Sequence, residues 1–205
     1  MLYKKLIKLE EELKNKEMNM YKIPAKIKKP IGMLMLEHRL IERMVELIDK
    51  KNERMENIDE FALGLIDDAV RFFREYADRC HHGKEEDILF KELQERNISQ
   101  EHKEMLDALI EDHIRARKLV AGLDEICKTY KANMGASVEK TQDILEKIVE
   151  LYRTHIKKED EIFFPASMGY FSEKERADMI ERFKEFDMSL IHDNFIKIVE
   201  KYESK

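Results

Sequence analysis

Apolar residues recur along this chain at alternating intervals of three and four, in four long stretches. That spacing keeps one face of an α-helix apolar and predicts amphipathic helices. The predicted helices cover about 31–51, about 58–96, a stretch that begins at Ser99, and about 137–165. No proline, the residue that breaks helices, lies between Pro30 and Pro165. The pattern predicts an all-α protein, an antiparallel up-down-up-down four-helix bundle.

Further helical segments are predicted on both sides of the bundle. Residues 1–30 read as a charged helix over 1–22 followed by a linker, with nine Lys against four Glu. After the bundle, the sequence from Ser172 to Glu175 has the form of a capping box and predicts a helix in the tail. The chain therefore divides into an N-terminal helix and linker over 1–30, the bundle over 31–165, and a helical extension over 166–205.

Every helix of the predicted bundle carries one histidine within its apolar stripe. These histidines are His38, His81, His113 and His155. Two of them are followed four residues later by a glutamate, Glu85 after His81 and Glu159 after His155. Residues i and i+4 share one face of a helix, so each pair presents an imidazole and a carboxylate side by side.

Burying these six polar groups is costly unless something compensates their charge. Metal ions do so in one step, because they bind neutral imidazole and pair with carboxylate. We therefore predict a site for two metal ions with a protein ligand set of His38, His81, Glu85, His113, His155 and Glu159.

His82 and Glu86 have the same i, i+4 spacing and offer an alternative register. Extended backwards at helical intervals, their stripe meets Glu75, Asp78 and Arg79, which are typical of a solvent-facing surface. The stripe of His81 and Glu85 meets apolar residues instead. This register places His82 and Glu86 on the surface, and it predicts that His82→Ala leaves metal content nearly unchanged.

The remaining polar side chains lie outside the predicted set of six metal ligands. Tyr152, one turn before His155, is predicted to lie in the core with its hydroxyl near the site. His102 falls in the first turn of its helix and is predicted to be a surface or capping residue. His192 lies outside the four helices and stays open as an additional ligand. Cys80 and Cys127 suggest reduced thiols and not a disulfide framework.

Composition excludes several classes of function. The net charge of −6 argues against nucleic acid as the main partner, since phosphate binding requires a basic surface. No apolar run approaches the roughly 18 residues of a membrane span, and the N-terminus lacks the apolar core of a signal peptide. We therefore expect a cytoplasmic protein without a membrane partner.

The motifs as a set resemble the hemerythrin-like (HHE cation-binding) family, over residues 31–165 with a similar tail. The matching elements are Glu37-His38, His81 with Glu85, Asp112-His113, His155 with Glu159, and Phe164-Pro165. The resemblance implies a non-haem centre of two iron ions, with manganese or zinc as alternatives, bridged by Glu85 and Glu159. Oxygen-carrying members have another His at the position of Arg117. This chain is closer to the bacterial and archaeal hemerythrin-like and repair-of-iron-centres types.

Three functions follow from this resemblance and from the ligand count. Six protein ligands shared by two ions leave coordination positions open, which suits binding or sensing of oxygen, nitric oxide or peroxide. A weak redox activity towards peroxide or nitric oxide is compatible with the same site. The alternatives are iron storage or donation for repair of damaged iron centres, and a structural metal in a helical interaction module. The sequence leaves the oligomeric state open.

Overall fold

The computed structural model describes residues 29–132, 137–188 and 193–203, and every regular element within these ranges is a helix. The bundle consists of α1 (Ile31–Glu53), α2 (60–94), α3 (Gln100–Lys131) and α4 (138–167). Two shorter helices follow, α5 (Glu173–Met188) and α6 (Asp193–Glu203). The predicted all-α bundle is confirmed. The predicted N-terminal helix over 1–22 and His192 lie outside the described residues.

The four bundle helices begin and pack as the sequence pattern predicts. Asp59, Ser99 and Ser137 cap α2, α3 and α4, because each side chain accepts a hydrogen bond from a backbone N–H in the first turn. The predicted capping box is also present: Ser172 Oγ accepts from the backbone N–H of Glu175, whose carboxylate accepts from Ser172 in return. Helix α4 packs against α1 and α3, and α2 packs against α3.

Helices α2 and α4 are not uniformly α-helical. Helix α2 runs as Glu60–Phe72, a π-helical segment Phe73–His82, a second π-helical segment Glu85–Phe90, and Lys91–Gln94. Helix α4 runs as Val138–Lys158, the π-helical Glu159–Phe163 and Phe164–Ser167. A π-turn holds an extra residue, and such turns are frequent at functional sites. One extra residue rotates the following side chains by about 100° relative to an uninterrupted α-helix.

The apolar core is divided into two clusters that lie at the two ends of the bundle. One contains residues such as Leu40, Ile66 and Tyr152, and the other contains residues such as Leu34, Phe90 and Phe164. Each fully buried Leu, Ile or Phe side chain contributes about 1.5–3 kcal/mol. A layer of buried polar residues separates the clusters along every helix: Glu37, His38, His81, His82, Lys84, Glu85, Asp112, His113, His155 and Glu159.

The two C-terminal helices cover different ends of this core. Phe183 of α5 belongs to the cluster of Leu34 and Phe164, whereas Val199 of α6 belongs to the opposite cluster. The last turns of α5 approach α2 closely at Gly83, where a Cβ atom would lie 2.8 Å from Cζ of Phe186. Among the described residues, no helix has the length and apolarity needed to cross a bilayer.

Close packing at Gly83 predicts an unusual result for glycine-to-alanine changes in α2. Gly64→Ala should raise the free energy of unfolding by about 1 kcal/mol through helix propensity, because its methyl group would meet Tyr202 at an ordinary 3.4 Å. Gly83→Ala should gain less than that or destabilise the protein, because Phe186 must move. Denaturant unfolding of both variants measures the difference.

A double-mutant cycle identifies the cause. In the background of Phe186→Ala the gain from Gly83→Ala should return. Equal effects of Gly64→Ala and Gly83→Ala in the wild-type background would show that the contact with Phe186 carries no strain.

Candidate metal centre

Five buried histidines in the polar layer each have a carboxylate near Nδ1, and in four of them it lies within hydrogen-bond distance. The pairs are His38 with Asp160 at 2.7 Å, His81 with Glu37 at 2.9 Å, His113 with Glu86 at 2.7 Å, His82 with Asp78 at 3.3 Å and His155 with Asp112 at 3.6 Å. A carboxylate at Nδ1 sets the tautomer that leaves Nε2 as the metal-binding nitrogen. The outer carboxylates therefore orient four of the imidazoles for metal binding, whereas Nδ1 of His155 makes no hydrogen bond among the described residues.

The Nε2 atoms of four histidines meet in two pairs. Nε2 of His38 lies 2.8 Å from Nε2 of His81, and Nε2 of His113 lies 3.2 Å from Nε2 of His155. A metal ion about 2.1 Å from each of two nitrogen ligands at right angles would hold them about 3.0 Å apart. Both distances agree with two imidazoles that share one ion.

Glu85 and Glu159 lie between the two histidine pairs. The oxygens of Glu85 lie 3.4 Å from Nε2 of His81 and 3.4 Å from Nε2 of His113. Oε2 of Glu159 lies 3.2 Å from Nε2 of His38 and 3.3 Å from Nε2 of His155. Each glutamate therefore contacts one histidine from each pair, which is the placement that a bridging carboxylate requires.

The two glutamates also pass an independent test of fit to a cation. Both side chains have no solvent exposure, and none of their four oxygens has a hydrogen-bond partner among the described residues. A buried carboxylate without such partners is costly. Cations bound between the glutamates and the imidazoles would satisfy all four oxygens.

Candidate ligand atoms within 4.8 Å of one another form two groups that share Glu85. One group is His38, His81, Glu85 and Glu159, and the other is His82, Glu85, His113 and His155. All six sequence-predicted residues therefore come together in one layer. A seventh residue, His82, joins them.

The prediction that His82 lies on the surface is wrong. His82 is as buried as His81, at 1% exposure, and its ring stacks on that of His113 with centroids 3.8 Å apart. The π-helical segment that ends at His82 explains the error, because its wider turns place both adjacent histidines on the inner face. The only signal in the sequence is the His81-His82 doublet itself, which a strict 3.6-residue period assigns to two faces.

Glu86, predicted to lie on the surface, is partly exposed and also contacts the site. Glu86 is half-buried, and its Oε1 lies 2.7 Å from both Nδ1 of His113 and the guanidinium of Arg117. Arg117 also donates to Asp78, the partner of His82. Arg117 thus stands behind the site and holds two carboxylates that orient imidazoles.

The charges of this layer shift the pKa values of its members in opposite directions. Although burial disfavours a charged imidazole, contacts with Asp160 and Glu159 raise the pKa of His38 to about 10. Burial is likewise outweighed at His113, where Glu85 and Glu86 raise the pKa to about 9. Burial and neighbouring imidazoles hold the pKa of His82 well below its ordinary value. Although burial opposes it, the imidazoles of His81, His113 and His38 hold the pKa of Glu85 below its usual value.

The structure also shows where Tyr152 and His102 lie. Tyr152 is buried as predicted and stacks on Phe73 at 4.8 Å, with its ring 6.3 Å from that of His82. His102 lies away from the layer, where its backbone N–H donates to Ser99 and its Nδ1 contacts the Tyr170 hydroxyl. His102 is therefore a partly exposed residue of the first turn of α3, outside the centre.

Comparison with known families supports the geometry. The sequence model of the family described as hemerythrin HHE cation binding domain matches residues 29–167, well over half of the chain. The chain belongs to this family. No curated protein and no solved structure matches the chain significantly.

Family membership confirms the predicted HHE domain and, with the His and Glu clusters, a site able to hold a cation. The bacterial and repair-of-iron-centres subtype stays a prediction, as do the number and identity of the ions. In this HHE domain Arg117 occupies the position where oxygen-carrying members have an additional histidine. The fifth imidazole comes instead from His82 of α2.

His82→Ala should lower the metal content of this HHE domain, because it removes one member of the second group. The expected loss resembles that of His81→Ala, measured by elemental analysis after identical purification. His102→Ala is the matched control and should bind as much metal as the wild type. Full metal content in His82→Ala with a loss in His81→Ala would restore the original register.

Metal binding should also release protons. His38 and His113 carry protons at pH 7 without metal, and ligands must be neutral, so about two protons should leave per chain. The stability that these imidazoles contribute without metal is complete below pH 6.5 and is lost as the pH rises through about 9 to 10. Metal affinity should therefore increase as the pH rises from 6.5 to about 9 or 10.

Calorimetry in buffers with different ionisation enthalpies counts the released protons. His38→Gln should release about one proton fewer than the wild type. Metal affinity that does not change between pH 6.5 and 9 would contradict the protonation states given for His38 and His113.

Proposed function

We propose that this HHE domain is a non-haem di-iron protein that binds or senses a small molecule such as oxygen, nitric oxide or peroxide. The observation that carries the proposal is the position of Glu85 and Glu159, buried, without hydrogen-bond partners among the described residues, and in contact with both histidine pairs. Bridging carboxylates with imidazole ligands suit iron, and manganese or zinc are compatible with the same donors.

The two sides of the centre are unequal, and this inequality supports binding of an exogenous ligand. His82, His113 and His155 would serve one ion, whereas only His38 and His81 would serve the other. Both ions would share the glutamates, so the second has one imidazole fewer and more open positions. Iron bound there would supply redox chemistry and an open coordination position.

The residues around the second ion control its environment. Asp160 accepts from Nδ1 of His38 and in turn pairs with Arg39, so the imidazole is held in one tautomer. The ring of Phe164 stacks on His38 with centroids 5.6 Å apart. The apolar cluster on this side excludes bulk water, which favours small uncharged ligands over hydrated ones.

Burial of the ligands argues against rapid iron donation. The seven side chains are only 0–3% exposed, so an ion could leave only if the helices separated. A small molecule, by contrast, needs no such opening. Donation and a purely structural role are retained as outcomes of the experiment below.

The test combines metal analysis with anaerobic optical spectroscopy of the iron-loaded protein. We expect about two metal ions per chain and a spectral change on exposure to oxygen, nitric oxide or peroxide. Glu159→Gln should reduce metal content or abolish the change, because it weakens a bridge. Glu161→Gln, an exposed neighbour on the same helix, is the control and should behave as wild type.

The other outcomes are distinguishable. One ion per chain would contradict the di-metal centre. Fast transfer of iron to a chelator would support storage or donation. Two ions that respond to none of the three molecules would support a structural role.

A further inference from the structure

Each of the carboxylates that lie near an imidazole Nδ1 is itself paired with a cation. The pairs are Asp160 with Arg39, Asp112 with Lys158 and Arg115, Glu86 and Asp78 with Arg117, and Glu37 with Lys84. The side chains of Arg39, Lys158 and Arg117 are 53%, 37% and 38% exposed. The side chain of Lys84 has no exposure at all. Lysine is rarely buried unless it is paired, so Lys84 differs in kind from these exposed cations.

Lys84 lies within the turn of α2 that supplies the ligands, between His81 and Glu85. Its ammonium contacts Oε1 of Glu37, while Oε2 of the same carboxylate lies 2.9 Å from Nδ1 of His81. Glu37 therefore divides its two oxygens between Lys84 and an imidazole of the centre. Any change in how firmly Lys84 holds Glu37 alters the hydrogen bond that orients His81.

The second partner of Lys84 belongs to α5. The ammonium contacts Oδ1 of Asp187, next to the last residue of that helix, and Cys80 Sγ lies 3.7 Å from the same oxygen. Gly83 allows the ring of Phe186 to approach α2 where a larger residue would collide with it. Three residues of the ligand turn, Cys80, Gly83 and Lys84, thus contact the last turn of α5.

Lys84 remains charged in this position. Burial opposes the charge, but the ammonium contacts two carboxylates, Glu37 and Asp187. A buried ammonium needs both carboxylates to replace its hydration. If α5 moved away, Lys84 would keep only Glu37, and water would enter beside the ligand turn.

We propose that Lys84 is a positioning residue that couples the docking of α5 to the metal affinity of the centre. The proposal rests on the metal site of the proposed function but not on the reaction with small molecules. Partners of metal-binding histidines commonly change metal affinity by about 10- to 100-fold when they are lost. Because coupling between two events is reciprocal, bound metal should also strengthen the docking of α5.

The contacts run from His81 through Glu37 and Lys84 to Asp187, whose side chain is partly exposed. A change that withdraws Asp187 would weaken the centre without touching any ligand. Conversely, metal binding at the centre would hold α5 more firmly against α2. The C-terminal extension would then report whether the centre is occupied.

The experiment measures ferrous-ion affinity of the full chain by anaerobic competition with a chromophoric chelator. Lys84→Met should lower the affinity by about 10- to 100-fold. Asp187→Asn should lower it in the same direction by a smaller factor, because Glu37 stays paired. Lys84→Arg should recover part of the loss. Lys91→Met, an exposed lysine on the same helix, is the control and should match wild type.

Hydrogen exchange supplies a readout that simple loss of stability would not reproduce. In wild type, amides of α5 should exchange more slowly with metal than without it. In Lys84→Met and Asp187→Asn this difference should shrink, while the amides of α3 keep theirs. Asp187→Asn alone decides the matter if Lys84→Met does not fold.

Unchanged affinity in Asp187→Asn together with metal-independent exchange of α5 in wild type would overturn the coupling, even if the protein binds two ions and reacts with small molecules. A wild-type chain that takes up no metal would overturn the proposed function and the coupling together. Metal uptake without reactivity would leave the coupling intact and overturn only the small-molecule proposal.

Discussion

The structure depends on two buried carboxylates, Glu85 and Glu159, that face each other at the centre of the bundle. Around them the charge alternates outward in shells. Imidazoles surround the glutamates, carboxylates stand behind the imidazoles, and cations hold those carboxylates in turn. Each shell is stable only because of its neighbours, since an isolated charge at this depth would be costly. Bound cations would complete the arrangement, and without them protons on His38 and His113 take over part of that role.

Much of this plan could be predicted from the sequence, because it follows from local periodicity. A period of 3.6 residues was sufficient to locate four helices and to choose their inner faces. The six polar residues at odds with those faces were therefore recognisable as a set. Their convergence in one layer follows from matched depths on antiparallel helices. Caps such as Ser99 and Ser172 were predictable for the same reason, since their hydrogen bonds lie within one turn.

What could not be predicted depends on contacts between distant parts of the chain, or on departures from the regular period. His82 belongs to the site because Phe73–His82 is π-helical. No residue in that segment predicts the wider turn. Glu37, Asp160 and Lys84 have the ordinary appearance of charged helix residues. Their importance comes from partners on other helices, 44 residues away for Glu37 and His81 and 122 for His38 and Asp160. A solvent-facing charge and an orienting charge look identical in one sequence.

The shell arrangement separates two properties that a metal protein must adjust independently. The ligands determine which ions bind, and they are too buried to be altered without loss of the centre. The outer cations determine how firmly the orienting carboxylates are held, and most of them lie at the surface, where solvent screening weakens their influence. Lys84 escapes that screening because α5 covers it. Among the outer cations in the described part of the chain, Lys84 is therefore the buried one through which a distant helix can act on the centre with little attenuation. Helix α5 is the element whose position determines whether it does.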